Sequence, residues 1–593
     1  MNSETKICQN CKQQFIIDSA DFDFYTKINV PPPTFCPECR MQRRMQFRNL
    51  KTVYKRKTID GKEVFSAFAP DSPFRVYSQP YWLSDACEPV AGVEYNFSKP
   101  FFSQLKELVL ASPWAAGYNI SSIQSDYCNN CFDVKNCYLA FNSGYSEDCA
   151  YVVDARHSKT CLDALKIDHC ELSYELFDCE KCYRAFFSAH CRECSDIYFC
   201  ENLTGCHDCF GSVNLKNKSY YIFNKPYTKE EYMKEVKNIW DGSISNIEKL
   251  QQQFRAHKSA FPSRFYRGYQ NDNITGDYVD HSKNCRDVFY STNLENCAHC
   301  QLVLFVPGKD SCDMTVAGGG ELCYEIEEAG GHRIRFAWYA GTNKMDLGMI
   351  DVAYSMNCFN CNYLFGCVGL KNKSYCILNK QFTKEEYIEL VPKIIKHMNA
   401  MPYTDNKGRV YRYGEFFPPE LSPFAYNETL AQEYFPLTKE EAFVRGYRWR
   451  DPETRQYAIS TNSSELPDNI KNVSDSIASE IIGCAHARKC LDQCTMAFKI
   501  ILQELEFYRR MNLPVPRLCP NCRYAERIKQ RNPLKLWKRR CQCRGKKSER
   551  DVYENTNTHF HADELCPNEF ETSYAPDRKE VVYCEQCYQA EVA

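Results

Sequence analysis

Cysteine spacing constrains this chain more than any other feature. Near the N-terminus stand Cys8-Gln-Asn-Cys11 and Cys36-Pro-Glu-Cys39. Two Cys-x-x-Cys turns about two dozen residues apart make the ligand set of a four-thiolate zinc site. The backbone N–H groups of each turn point at the sulfurs, and the metal joins the two turns. A ribbon this short buries little else, so it is expected to be unfolded without its metal.

The pattern returns near the C-terminus. Cys8 to Asn49 align with Cys490 to Asn532, with one extra residue in the first turn. Cys11, Phe15, Phe24, Tyr25, Pro31, Pro33, Cys36, Pro37, Cys39, Arg40, Arg44, Arg48 and Asn49 meet, in order, Cys494, Phe498, Phe507, Tyr508, Pro514, Pro516, Cys519, Pro520, Cys522, Arg523, Arg527, Arg531 and Asn532. This duplication predicts a second site at Cys490, Cys494, Cys519 and Cys522. A third ribbon ends the chain. Cys584-Glu-Gln-Cys587 supplies its second turn, and Cys566, four residues before Phe570 as Cys11 is before Phe15, belongs to its first. Its fourth ligand is open among Cys541, Cys543, His559 and His561; the reading carried forward takes His561.

These motifs resemble the zinc-ribbon domain family of uncharacterised cysteine-rich bacterial proteins, over residues 5–50 and 487–532. The tail at 541–593 is similar to tails of related cysteine-rich proteins. The resemblance implies zinc as the bound metal and carries no known activity.

Between the ribbons lies a second duplication. Asn214-Leu-Lys-Asn-Lys-Ser-Tyr220 recurs as Gly369-Leu-Lys-Asn-Lys-Ser-Tyr375, an offset of 155 residues. Each copy runs into Thr-Lys-Glu-Glu-Tyr at Thr228 and Thr383, a capping box that starts a helix, and a third box stands at Thr438. Upstream, Cys137, Cys149 and Cys161 are twelve residues apart, as are Cys182, Cys194 and Cys206, and Cys285 and Cys297. Short Tyr-, Val- and Asn-rich segments at that period predict stacked strands with polar turns, a β-solenoid, flanked by helices over 228–256 and 383–399. The pairs Cys128/Cys131, Cys179/Cys182, Cys191/Cys194, Cys206/Cys209, Cys297/Cys300 and Cys358/Cys361 then form an inward ladder of small apolar thiols. The competing reading makes them further zinc knuckles.

The expected fold is β-rich and multidomain, with zinc ribbons at both ends of a duplicated β-solenoid-like region. Residues 1–60 form ribbon 1 with a basic extension, and 61–120 an aromatic-rich connector. Modules follow at 121–260 and 261–400, each closed by a helix. Residues 401–475 form a connector with the third capping-box helix, 476–540 ribbon 2 with its basic extension, and 541–593 ribbon 3.

No apolar run approaches the roughly 18 residues of a membrane span, and the first thirty residues lack a signal-peptide core. The expectation is a cytoplasmic protein without a membrane partner, its 37 cysteines serving as ligands or core residues rather than disulfides. Gly-rich phosphate loops, Gly-x-Ser-x-Gly and His-Glu-x-x-His are all absent, which favours binding over catalysis.

The net charge of −2 hides an asymmetry. Residues 36–57 carry eight Lys or Arg against Glu38, and residues 508–547 carry fourteen against Glu526. Arg40, Arg44 and Arg48, and their counterparts Arg523, Arg527 and Arg531, recur at four-residue steps, one side of a helix. Such a side fits the phosphates of RNA or single-stranded DNA; a protein partner or an internal dock onto the acidic middle fits it too. The sequence therefore reads as a zinc-binding scaffold with RNA, a nucleoprotein or a protein as partner. The alternative is a parallel β-helix carbohydrate-active enzyme or binder, using carboxylates such as Asp163, Asp168, Glu325, Glu327 and Glu328.

Overall fold

The computed structural model describes residues 3–304, 307–341, 348–451, 457–490 and 492–592. Its middle is built on a three-residue step. Every third residue from Ser121 to Phe223 has φ between 44° and 63°. A left-handed residue costs a non-glycine roughly 1–2 kcal/mol, and Asn, Asp and His hold many of these corners. The corner amides recover hydrogen bonds: Asn136, Asp148 and Thr160 donate to the carbonyls of Ile123, Lys135 and Glu147 at 3.0 Å.

Each twelve-residue stretch lies in parallel register on the next. Ala150 pairs with Tyr138 on one side and Leu162 on the other, and the ladder continues through Tyr183, Ser195, His207 and Ser219. The residue after each corner turns inward, so Cys128, Cys131, Val134, Cys137, Ala140, Ser143, Ser146, Cys149 and Val152 follow one another into a buried core. Serines there keep the ladder satisfied: the Ser143 hydroxyl donates to the Phe141 carbonyl at 2.9 Å and accepts from the Ala155 amide at 3.1 Å.

A second parallel ladder runs from Gly268–Tyr269 to Ser374–Ile377. Its register slips by one residue between Ile274 and Gly276. Only glycine fits there, since a Cβ on Gly276, at φ +146°, would lie 1.8 Å from the Val288 carbonyl oxygen. Each ladder closes on a short antiparallel strand and a helix whose N-terminus is held by the expected capping box, at Thr228–Glu231 and Thr383–Glu386. The third box, at Thr438, starts Lys439–Val444. The helix expected over 228–256 is instead two, Lys229–Ile239 and Ile244–Lys258. Between them Gly242 takes φ +84° and the Asp241 carboxylate accepts from the Ser243 amide at 2.9 Å.

The end segments pack on the ladders. Phe15, Tyr25 and Phe47 of the N-terminal ribbon share one buried cluster with Tyr324, Phe336 and Trp338 of the second ladder and Phe416 of the connector. Phe498, Phe507 and Tyr508 of the next ribbon share another with Tyr151, Leu162 and Tyr174 of the first ladder. The final segment adds strand Val582–Tyr583, parallel to Ser263–Arg264. Among the described residues no helix is long and apolar enough to cross a membrane.

Candidate metal centres

Three antiparallel hairpins share one register around their cysteines. Glu4–Ile7 pairs with Gln14–Ile17, placing Lys6 opposite Phe15. Ile482–Gly483 pairs with Ala497–Phe498, placing Ile482 opposite Phe498, and Trp537–Arg540 pairs with Glu569–Thr572, placing Arg539 opposite Phe570. Each outgoing strand ends one residue before a cysteine: Cys8, Cys484 or Cys541. Each return strand starts three residues after one: Cys11, Cys494 or Cys566. The helices Pro37–Met45, Pro520–Ile528 and Glu585–Val592 then begin directly after Cys36, Cys519 and Cys584. Their first turns carry Cys39, Cys522 and Cys587.

The result is three groups of four thiols, the sulfurs of each within 4.8 Å of one another. In all three the amide of the third cysteine donates to the sulfur of the first: Cys36 to Cys8 at 3.3 Å, Cys519 to Cys484 at 3.3 Å, Cys584 to Cys541 at 3.2 Å. Sulfur separations include 3.8 Å for Cys11–Cys36, 4.0 Å for Cys494–Cys519 and 3.9 Å for Cys566–Cys584. No disulfide is present, all 37 cysteines being free. Four thiols this close cannot all ionise unaided. Hydrogen bonding with Cys36 holds Cys8 far below the ordinary thiol range, and with Cys39 pushes Cys36 far above it. In the other two tetrads the lowered thiol is instead the third cysteine, Cys519 or Cys584, through Cys484 or Cys541, and the raised one the fourth, Cys522 or Cys587, through the same partners. Each tetrad is thus a compact donor set that could hold one metal ion.

Two expected ligands are corrected. Cys484, not Cys490, completes the second tetrad, because the strand that aligns with Phe498 ends at Gly483; Cys490 lies beside it, 3.7 Å from the Cys522 sulfur. Cys541, not His561, completes the third, since the strand paired to Phe570 ends at Arg540. His561 sits next to this tetrad, its Nε2 3.3 Å from the Cys587 sulfur.

A fourth frame has no such ligands. The hairpin Tyr54–Lys57/Glu63–Ser66 follows the first ribbon as Trp537–Arg540/Glu569–Thr572 follows the second. Thr58 bonds Lys62 at 2.8 Å as Cys541 bonds Asn568 at 2.9 Å. Where Cys584 would donate to a sulfur, the Ser78 amide donates to the Asp60 carboxylate at 2.8 Å. A side-chain hydrogen bond holds the frame that thiols hold elsewhere.

The cysteine pairs of the ladders have another origin. Inward positions recur every third residue, which is the Cys-x-x-Cys spacing. Their S–H groups face backbone carbonyls: Cys179 those of Phe177 and Ser188 at 3.5 and 3.7 Å, Cys182 those of Glu180 and Cys191, both at 3.4 Å.

The expected phosphate-binding arginines turn inward. Arg40 and Arg44, 1% and 0% exposed, meet Asp313 at 2.8 and 2.9 Å, and Arg44 meets Glu325 at 2.8 Å. Arg523 and Arg527 repeat this on Asp163 and Glu175, with Arg527 at 3.0 and 2.9 Å. Asp313 and Glu325 are one twelve-residue step apart, and so are Asp163 and Glu175. Arg48 pairs with Glu328 and bonds Asn142 at 3.2 Å. Arg531 donates to the Tyr434 hydroxyl at 2.7 Å and covers its ring at 4.3 Å. None of the six presents a free guanidinium to solvent. The carboxylates considered for sugar chemistry do not converge either: Asp163, Glu325 and Glu328 bind these arginines, Asp168 lies beside His157 and His169 at 3.0 and 2.8 Å, and Glu327 is fully buried.

No protein-family model matches the chain, and no curated protein does. A solved structure of a proposed acetyltransferase from Desulfovibrio desulfuricans G20 is similar at 8% identity over 51% of this chain and 76% of its own. Its TM-score of 0.10 carries no argument about fold or activity.

Proposed function

We propose that the chain is a zinc-binding structural protein of the zinc-ribbon family it resembles. In this reading, zinc-held frames brace two β-solenoid modules into one scaffold. The observation that carries it is the threefold four-thiolate frame with the same amide-to-sulfur bond each time. Thiolate-only, closed donor sets suit structural zinc. Four sulfurs at about 2.3 Å from a tetrahedral ion stand about 3.8 Å apart, close to the 3.8, 3.9 and 4.0 Å separations of the tetrads. The solenoid reading rests on the twelve-residue parallel register and the left-handed corner at every third residue. A reducing compartment such as the cytoplasm fits a chain whose thiols serve as ligands and core.

The test is thermal unfolding of the reduced full-length chain, zinc-loaded, stripped and reloaded. Stripping should lower the melting temperature and reloading should restore it, because metal binding at such sites is folding free energy. Identical melting in all three states would contradict the reading.

A second reading retains RNA or single-stranded DNA as partner, moved to another surface. It is favoured by basic residues left exposed around the third ribbon, Lys535, Lys538, Arg540, Arg544, Lys546 and Arg550. Binding should weaken steeply with salt, and Lys538→Glu with Arg544→Glu and Arg550→Glu should flatten that dependence. No binding by the wild type at low salt would exclude this partner.

A further inference from the structure

We infer that the third ribbon holds two metal ions, bridged by the Cys587 thiolate. The inference rests on the zinc reading of the tetrads and adds a site to it. Beside the tetrad Cys541, Cys566, Cys584 and Cys587 lies a second group, Cys543, His559, His561 and Cys587, whose donor atoms also fall within 4.8 Å of one another. Cys587 belongs to both.

The histidines are oriented as ligands. In a metal-bound imidazole the far nitrogen donates its N–H to a carboxylate or carbonyl, leaving the near nitrogen's lone pair for the ion. His561 Nδ1 lies 2.7 Å from the Glu564 carbonyl oxygen, which turns Nε2 toward the Cys587 sulfur at 3.3 Å. His559 Nε2 lies 3.0 Å from the Glu591 carboxylate, and both side chains are buried, at 1% and 0% exposure. The other His559 nitrogen, Nδ1, is buried without a hydrogen-bond partner. A lone pair so placed among two thiols and a second imidazole lacks only a cation. The Asn555 amide donates to the Cys543 sulfur at 3.2 Å, which favours its thiolate. Charge agrees: two divalent ions against five thiolates leave one net negative charge, where one ion on four thiolates leaves two.

The chain provides these ligands by lengthening one loop. Between the first two tetrad ligands stand 2 residues in ribbon 1, 9 in ribbon 2 and 24 in ribbon 3. The longest insertion brings Cys543, His559 and His561. The shorter brings His486, Cys490 and Asp492, which gather around Cys522, the counterpart of Cys587. There too, His486 Nδ1 and Asp492 Oδ2 are buried without hydrogen-bond partners, 3.9 Å from each other, with Lys529 Nζ 3.6 Å from the carboxylate oxygen. Two insertions of different length thus deliver donors to the same position of the frame.

The test compares metal content of the zinc-loaded, reduced full-length chain with that of the double variant His559→Ala/His561→Ala. The double variant should hold one ion fewer. Equal content in both would overturn the bridged site and leave the tetrads standing; less than one ion in the wild type would instead sink the zinc reading. Glu591→Gln tests the site without removing a ligand. As a positioning residue it should weaken one ion by roughly 10–100-fold against a competing chelator, and an unchanged titration would overturn the proposal.

Discussion

Arg40 Nη2 lies 2.8 Å from Asp313 Oδ2, with both side chains buried. The contact joins the helix that starts at the tetrad cysteine Cys36 to a ladder residue 273 positions further along the chain. Arg523 and Asp163 repeat it for the second ribbon and the first ladder. In both halves a helix beginning at a tetrad cysteine is thus tied by a buried ion pair to a ladder.

Removing Arg40 leaves the buried Asp313 with Arg44, at 2.9 Å, as its remaining guanidinium partner. Arg40→Ala should cost roughly 1.5–3 kcal/mol in denaturant unfolding, the range of a hydrogen bond to a charged group. The double variant Arg40→Ala/Asp313→Ala should cost less than the single one, because Arg44 keeps Glu325 at 2.8 Å and no carboxylate loses a guanidinium partner. A single-variant loss under 1 kcal/mol would mean that the pair does not hold the ribbon.

Cys484 and Cys490 compete for one role. Cys484→Ser should abolish the four-thiolate signature of the second ribbon in the charge-transfer spectrum of the cobalt-substituted protein. Cys490→Ser should leave a four-thiolate centre there. The reverse pattern would return Cys490 to the tetrad.

That competition marks where the sequence stops being legible. Cys11, Cys36 and Cys39, and their counterparts in the other ribbons, can be read because the return strand and second turn keep their spacing. Cys484 cannot, and Cys541 stays one of four candidates, since closing a longer loop costs little more than closing a short one, so their distance from the next ligand is free to vary. The four-residue step of the arginines is visible, but the carboxylates that draw them inward are hundreds of residues away. The twelve-residue period is visible too; its three-residue subdivision, which mimics zinc knuckles, emerges only from the backbone corners.

Ladder cysteines should behave as core. Cys161→Ala should leave metal content unchanged and cost about 1–2 kcal/mol, in the range of a small core truncation. Loss of one metal ion would assign Cys161 to a site instead.

Glu327 makes stability depend on pH. Burial first, only partly opposed by the Arg48 charge, pushes its carboxyl from 4.5 up to about 8. The folded chain then binds a proton that the unfolded chain releases. This contribution is complete below about pH 4.5 and is lost as pH rises toward about 8, at about 1.4 kcal/mol per unit. Glu327→Gln should therefore raise the melting temperature relative to wild type more at pH 8 than at pH 5. An equal shift at both would contradict the buried, protonated carboxyl.

The zinc-to-protein ratio of the reduced, metal-replete full-length chain, by elemental analysis, tests the central claim most directly. Three four-thiolate centres predict at least three zinc ions per chain, and the bridged site raises the number to at least four. A ratio below one would contradict the account.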